Sequence, residues 1–191
     1  MRLAILDHGH RPGTKVLLGM IRLVSRQPVV DAVKLAFYRR EFYGAGPLTQ
    51  EAMRGPSAWS IGERELMAAY VSQVNSCPFC VAAHTATANL CYRDDATAAA
   101  TLADLETAPI PEPLRATLLL LGKLTREHRV GVEDVRAVLA SGVKPEQIQD
   151  ALAVSLAFNI TDRLANAFGF EVAGPAAMAA GARHLVKRGY G

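Results

Sequence analysis

The stretch that most constrains this chain lies between Ser60 and Leu90, where two helices meet at an abrupt break. Ser60-Ile61-Gly62-Glu63 is a capping box: the serine oxygen accepts from the Glu63 N–H, and the glutamate reaches back to the N–H of Ser60. Glu65, Leu66, Ala69, Tyr70 and Val74 follow in a helix over roughly 61–75. Asn75-Ser76 stops it. A second helix starts at Cys77 with Pro78 at its first position, where a missing N–H costs nothing, and runs to about Leu90. The break lets the second helix pack back against the first.

The rest of the chain reads the same way. Residues 1–14 read as an extended lead-in. Helices are expected over 15–27, with Val16, Leu17, Met20, Ile21 and Val24 at helical spacing, and from Pro28 onward, with Val29, Val33, Phe37 and Phe42 inward. Gly44-Ala45-Gly46-Pro47 breaks the chain before a short helix at Thr49–Met53. Further helices are expected over 95–105, 114–127, 132–139, 145–168 and 171–187. The 145–168 helix is apolar nearly all round between Ala151 and Ile160, so it belongs at the centre. Strand alternation and hairpin signals are almost absent. The expectation is an all-α, single-domain helical bundle. Residues 1–45 form a helical extension packed on a main domain of residues 46–191. The alanine-rich helices suggest faces buried against another subunit.

Chemistry concentrates at the break, in the order Glu65, Cys77, Cys80, His84. Cysteines at i and i+3 on a helix share a face with Cα atoms about 5 Å apart, within disulfide range. His84 lies one turn beyond Cys80, and Glu65 sits on the helix before. The thiolate is the reactive form of cysteine. A helix N-terminus favours it at Cys77, whereas the neighbouring base favours it at Cys80. A redox-active dithiol with a Glu65–His84 proton relay is the leading reading. Two thiolates, a histidine and a carboxylate are also zinc-type ligands, but their spacing on one helix does not match the common zinc sites. Haem attachment is excluded, because Val81 follows Cys80 where histidine is needed. Burial of both cysteines as plain core residues is the remaining possibility.

At these residues the sequence resembles a known family. Glu65, Cys77, Cys80 and His84, with Ser60 and Glu63-Arg64-Glu65-Leu66 before them, look like the core of the carboxymuconolactone decarboxylase and alkylhydroperoxidase D superfamily. The run from Arg54 through Ser60 to Cys80 is similar to its peroxidase-related branch. Phe158, Asn159, Arg163 and Asn166 resemble the family's later helix more weakly. The resemblance implies an alkylhydroperoxidase D-like helical bundle forming a homo-oligomer (dimer, trimer or hexamer). It also implies a thiol peroxidase or disulfide reductase acting on hydroperoxides. In that scheme Cys80 attacks the peroxide, Cys77 resolves the sulfenic acid, and His84 and Glu65 move protons. A dithiol protein or small thiol then reduces the pair, with no cofactor and no metal. Alkylhydroperoxidase D proteins carry a histidine immediately before the second cysteine; this chain has Phe79, which removes one proton handler. A carboxymuconolactone decarboxylase-like enzyme, or a non-catalytic redox or metal-binding module, is the alternative.

Other residues carry less. Cys91 reads as a core or incidental thiol, and Trp59 and Tyr70 as core aromatics. His8, His10, His128 and His184 have no partner by spacing. Asn159, Arg163 and Asn166 share a helix face and either line the pocket or tie helices together. Three cysteines, two of them three residues apart, fit a reducing cytoplasm better than a secreted disulfide framework. A net charge of +3, without basic runs interleaved with aromatics, argues against nucleic acid. Val16–Ile21 is cut short by Arg22 and lacks a small-residue cleavage site, so it is not read as a signal peptide. No stretch is apolar enough to span a membrane.

Overall fold

The helix–break–helix unit forms the middle of the molecule. In the computed structural model, which describes residues 4–39 and 46–190, eleven helices follow one another and no strand occurs among the described residues. They are α1 (Ile5–His8), α2 (Pro12–Ser25), α3 (Asp31–Tyr38), α4 (Gly46–Arg54), α5 (Ile61–Val74), α6 (Pro78–Tyr92), α7 (Ala96–Ala103), α8 (Glu112–Glu127), α9 (Val132–Ala140), α10 (Pro145–Phe168) and α11 (Pro175–Arg188).

The capping box closes as its residues require. The Glu63 N–H donates to Ser60 Oγ at 3.2 Å, and the Ser60 N–H donates to Glu63 Oε2 at 2.7 Å. The box sets the first turn of α5, the helix that carries Glu65. Ser60→Ala is expected to cost about 1 kcal/mol; a urea melt unchanged by the substitution would show that tertiary packing alone fixes this helix start.

Leu66, Met67, Ala68 and Val71 of α5 are fully buried, because α6, α8 and α10 surround it. A helix covered on most sides needs no polar face, which explains the weak amphipathicity of its sequence. Leu114, Leu118 and Leu121 of α8 and Val154 and Phe158 of α10 complete the same core. The α5–α6 break is a Ser76 in the left-handed region at φ +53°, and the Cys77 N–H then donates to Ser72 O at 2.9 Å. That return lays α6 against α5.

The N-terminal part departs from the sequence reading. Residues 1–14 are not an extended lead-in across their described part: α1 lies within them, and Pro12 opens α2, a position its fixed φ suits. Pro28 does not start a helix, since α3 begins at Asp31. In α3 the buried apolar residue is Leu35; Val33 and Phe37 are half-buried, as is Val29 ahead of it. Phe42 lies outside the described residues. Helix α2 buries none of its residues: Leu17, Leu18 and Ile21 are half-covered, while Val16, Met20, Leu23 and Val24 are exposed. The last helix begins at Pro175 instead of 171. In α10 the inner face is buried as expected, but Leu156 and Ile160 are 54% and 41% exposed. The apolar run therefore covers one outward face as well. Among the described residues no helix is long and apolar enough to cross a membrane.

Candidate redox site

Two clusters meet on α6, one around Glu65 and His84 and one around the two sulfurs. Glu65 is completely buried. Arg54 Nη2 donates to its Oε1 at 2.6 Å, Tyr190 Oη lies 2.9 Å from Oε1, and His84 Nδ1 is 2.7 Å from Oε2. Burial by itself would raise the Glu65 carboxyl. The hydrogen bond and charge of His84 and the Arg54 guanidinium outweigh it, holding the group below the ordinary glutamate value. Tyr190 moves the other way: burial and the Glu65 charge push its phenol well above the usual range, so it stays a donor. The His84 ring is further held edge-to-face on Phe158, centroids 4.4 Å apart, and nearly parallel to Tyr190 at 6.2 Å. Glu65 thus fixes the orientation of the His84 ring, with Nε2 the nitrogen left outside this bond.

The sulfur cluster lies at the helix start. Cys77 is the residue capping α6 and Pro78 its first position, as the sequence implies. Cys77 and Cys80 are free thiols, each 1% exposed. The Cys80 thiol, and more weakly the Cys80 backbone N–H, hydrogen-bond to the Cys77 sulfur and favour its thiolate against the cost of burial. Cys80 is pushed the opposite way: its proton is held in the bond to Cys77, and burial and the negative charge of Asp162 add to this. In the reduced pair, then, Cys77 is the sulfur that ionises first.

A cavity of about 300 Å³ opens beside the helix start, with Cys77, Phe79, Asn166 and Phe170 among its lining residues. Phe79 and Phe170 meet edge-to-face at 5.3 Å, so the residue standing in the expected histidine position builds an apolar wall. Val30 and Ala32, with Phe170 and Met178, pack on the cluster of Cys77, Phe79, Cys80 and Ala165. Asp31 ties this cover down, its Oδ2 accepting from the Glu171 N–H at 3.2 Å.

The structure thus joins Glu65 to His84 and Cys77 to Cys80, all within two turns of α6 and the facing turn of α5. Sequence reasoning missed three further members. Arg54 and Tyr190 complete the Glu65 cluster, and Asp162 lies beside the sulfurs, where one oxygen of its carboxylate and the two Sγ atoms all fall within 4.8 Å of one another. The sign of Asp162 in the sequence is an acid just beyond the nearly all-apolar run Ala151–Ile160, three residues after Asn159 and four before Asn166. Two of those neighbours tie helices together: Asn166 Nδ2 donates to Asn75 O at 3.0 Å and Asn159 Oδ1 accepts from Asn75 Nδ2 at 3.3 Å, while Arg163 donates to Asn159 within the helix. Asn166 also borders the cavity, so both roles considered for that face are present. Cys91 is half-buried with its thiol raised, chiefly by burial, and lies against Gly62 of α5. Trp59 is a core residue whose indole N–H donates to Gln147 O at 2.8 Å.

Comparison with known proteins bears on the fold that holds this site. Residues 40–104 match the model of the carboxymuconolactone decarboxylase family. Among solved structures, an uncharacterized peroxidase-related protein from Silicibacter sp. TM1040 is 24% identical, with 89% of this chain and 90% of that one covered and a TM-score of 0.75. A structure described as an alkylhydroperoxidase AhpD core, an uncharacterized peroxidase-related protein from Ralstonia eutropha JMP134, is 23% identical over 94% of this chain and 95% of that one, with a TM-score of 0.76. At such identity the likeness establishes the fold. No curated protein matches the chain.

Proposed function

We infer from a core of the carboxymuconolactone decarboxylase and alkylhydroperoxidase D-like superfamily that this chain is a dithiol oxidoreductase, reducing organic hydroperoxides through Cys77 and Cys80. The observation that carries the reading is the pairing of two free thiols at a helix start with a buried, oriented Glu65–His84 relay one turn away. A structural cysteine pair needs neither the relay nor the unequal ionisation.

The reaction balances as follows. The Cys80 thiol gives up its proton as its sulfur attacks the distal peroxide oxygen; the O–O bond breaks, Cys80 becomes a sulfenic acid, and the alkoxide leaves with that proton. The Cys77 thiolate then attacks the Cys80 sulfur. An S–S bond forms, the S–O bond breaks, and the departing hydroxide takes a proton through His84 and Glu65. A dithiol reductant attacks the disulfide at Cys77, the sulfur bordering the cavity, and restores both thiols. The apolar wall of Phe79 and Phe170 suits an alkyl hydroperoxide better than hydrogen peroxide. A homo-oligomer working in a reducing cytoplasm fits this cycle.

The test is a thiol count. Reduced protein is treated with one equivalent of cumene hydroperoxide, alkylated and weighed. The expected result is loss of two free thiols at Cys77 and Cys80, with Cys91 retained. In Cys77→Ser a sulfenic acid should accumulate on Cys80 and be captured by dimedone. Two unreacted thiols in the native chain would end the reading. A metal-binding alternative has one observation behind it, the Cys77–Cys80–Asp162 cluster; stoichiometric zinc in the purified protein would favour it.

A further inference from the structure

Asp162 is a buried carboxylate at the edge of the sulfur cluster. Its side chain has no exposure, and among the described residues no lysine or arginine forms an ion pair with it. It is held instead by neutral donors: Ser72 Oγ at 2.9 Å to Oδ1, and Asn75 Nδ2 at 2.9 Å to Oδ2. Both come from the last turn of α5 and its cap, so the carboxylate is fixed in place by the break that positions Cys77. Its remaining close neighbours are the two sulfurs. A carboxylate buried in such a place is costly unless the groups facing it supply protons.

The two carboxylates of the site differ in what they can do. Glu65 is occupied by Arg54, Tyr190 and His84 and is held ionised. Burial raises the Asp162 carboxyl, against the hydrogen bonds of Asn75, Cys80 and Ser72. That direction moves a carboxylate towards neutral pH, where a general base works best. The titratable groups facing Asp162 are Cys77, Cys80 and His84, all from α6; α5 presents only the neutral Ser72 and Asn75.

We propose that Asp162 is the catalytic base of the dithiol: its carboxylate stands within 4.8 Å of the Cys80 sulfur and takes the Cys80 proton whenever Cys80 attacks. This rests on reading the pair as a redox dithiol, and not on a hydroperoxide as its oxidant. In the peroxide cycle the Cys80 proton passes to Asp162 as the S–O bond forms, and Asp162 returns it to the alkoxide. In exchange with a disulfide, Cys77 attacks first. Cys80 then attacks the Cys77 sulfur of the mixed disulfide, the Cys77–Cys80 bond forms, and the outer S–S bond breaks. The electron pair leaves on the outer thiolate while the Cys80 proton again goes to Asp162.

The exchange reaction gives a test independent of peroxide. Reduced protein is mixed with dithiobis(nitrobenzoate), and thionitrobenzoate release is followed by stopped flow. The first release reports Cys77, and the second reports closure by Cys80. In Asp162→Asn the second release at pH 7 is expected to slow about 100-fold, with the first within about twofold. Its pH profile should also change shape. The native rate rises as Asp162 ionises and then levels, whereas the variant's climbs about tenfold per pH unit with thiol ionisation. Ser72→Ala removes a donor that favours the carboxylate, so it should move the native rising limb to higher pH; this variant decides the matter if Asp162→Asn does not fold. An unchanged second release, equal slowing of both releases, or an unmoved limb in Ser72→Ala would overturn the proposal. Thiols that ignore the hydroperoxide but close normally in this assay would remove peroxide as the oxidant and leave Asp162 in its role.

Discussion

Glu65→Gln is expected to lower stability at pH 7 by about 3–5 kcal/mol, the usual cost of stranding one member of a buried ion pair. The substitution keeps the size of the side chain and removes only its charge. The Arg54 side chain, 8% exposed, would then face a neutral amide with no counter-ion. At this chain length that corresponds to a melting point lower by about 10 °C. The folded Glu65 carboxyl sits below its ordinary value of 4.5. Its contribution is therefore complete above that pH and is lost as the pH falls through the lower folded value. The gap between native and variant should narrow correspondingly in urea melts taken below pH 4.5. A variant within about 1 kcal/mol of native at pH 7 would mean that solvent, not Glu65, compensates Arg54.

Phe158→Ala carries the second large effect. The ring is 1% exposed and meets His84 edge-to-face. Removing it should cost about 3–5 kcal/mol, from lost burial plus the cavity left behind. The functional signature is separate from the stability loss. With one wall gone, the His84 ring is held only by Glu65 and Tyr190. Thiol oxidation by hydroperoxide should then slow even where melts show the variant fully folded. Phe158→Leu, which restores most of the volume without the ring face, should recover more stability than rate. Equal recovery of both would show that Phe158 acts on His84 only through packing.

What could be read in the sequence was local. The capping box, the Asn75-Ser76 break, Cys77 at the helix start and the i, i+3, i+7 spacing of Cys77, Cys80 and His84 depend on neighbours a few residues apart. Each formed as its chemistry requires. The partners that give those residues their chemistry were not legible. Ser72 and Asp162 are 90 positions apart, and Tyr190 and Glu65 are 125 apart. No periodicity encodes such a meeting. Asp162 left a faint sign, an acid at the end of an apolar run, which the neighbouring asparagines and Arg163 outweighed. Near the N-terminus the reading failed for a different reason. Proline suits a first helical turn at either position, but Pro12 opens a helix and Pro28 does not, the next one starting at Asp31.

The wide separation of these partners bears on the chain before it has finished folding. Helices α5 and α6 are adjacent in sequence and can pair early, bringing Cys77 and Cys80 together while α10 and Tyr190 are still distant. At that stage the cysteines are an ordinary vicinal pair, with no Asp162 to accept a proton and no Tyr190 on Glu65. A disulfide formed then would be an accident of oxidant exposure, not a turnover. The fold thus separates possession of the two thiols from control over them, and it supplies the control last.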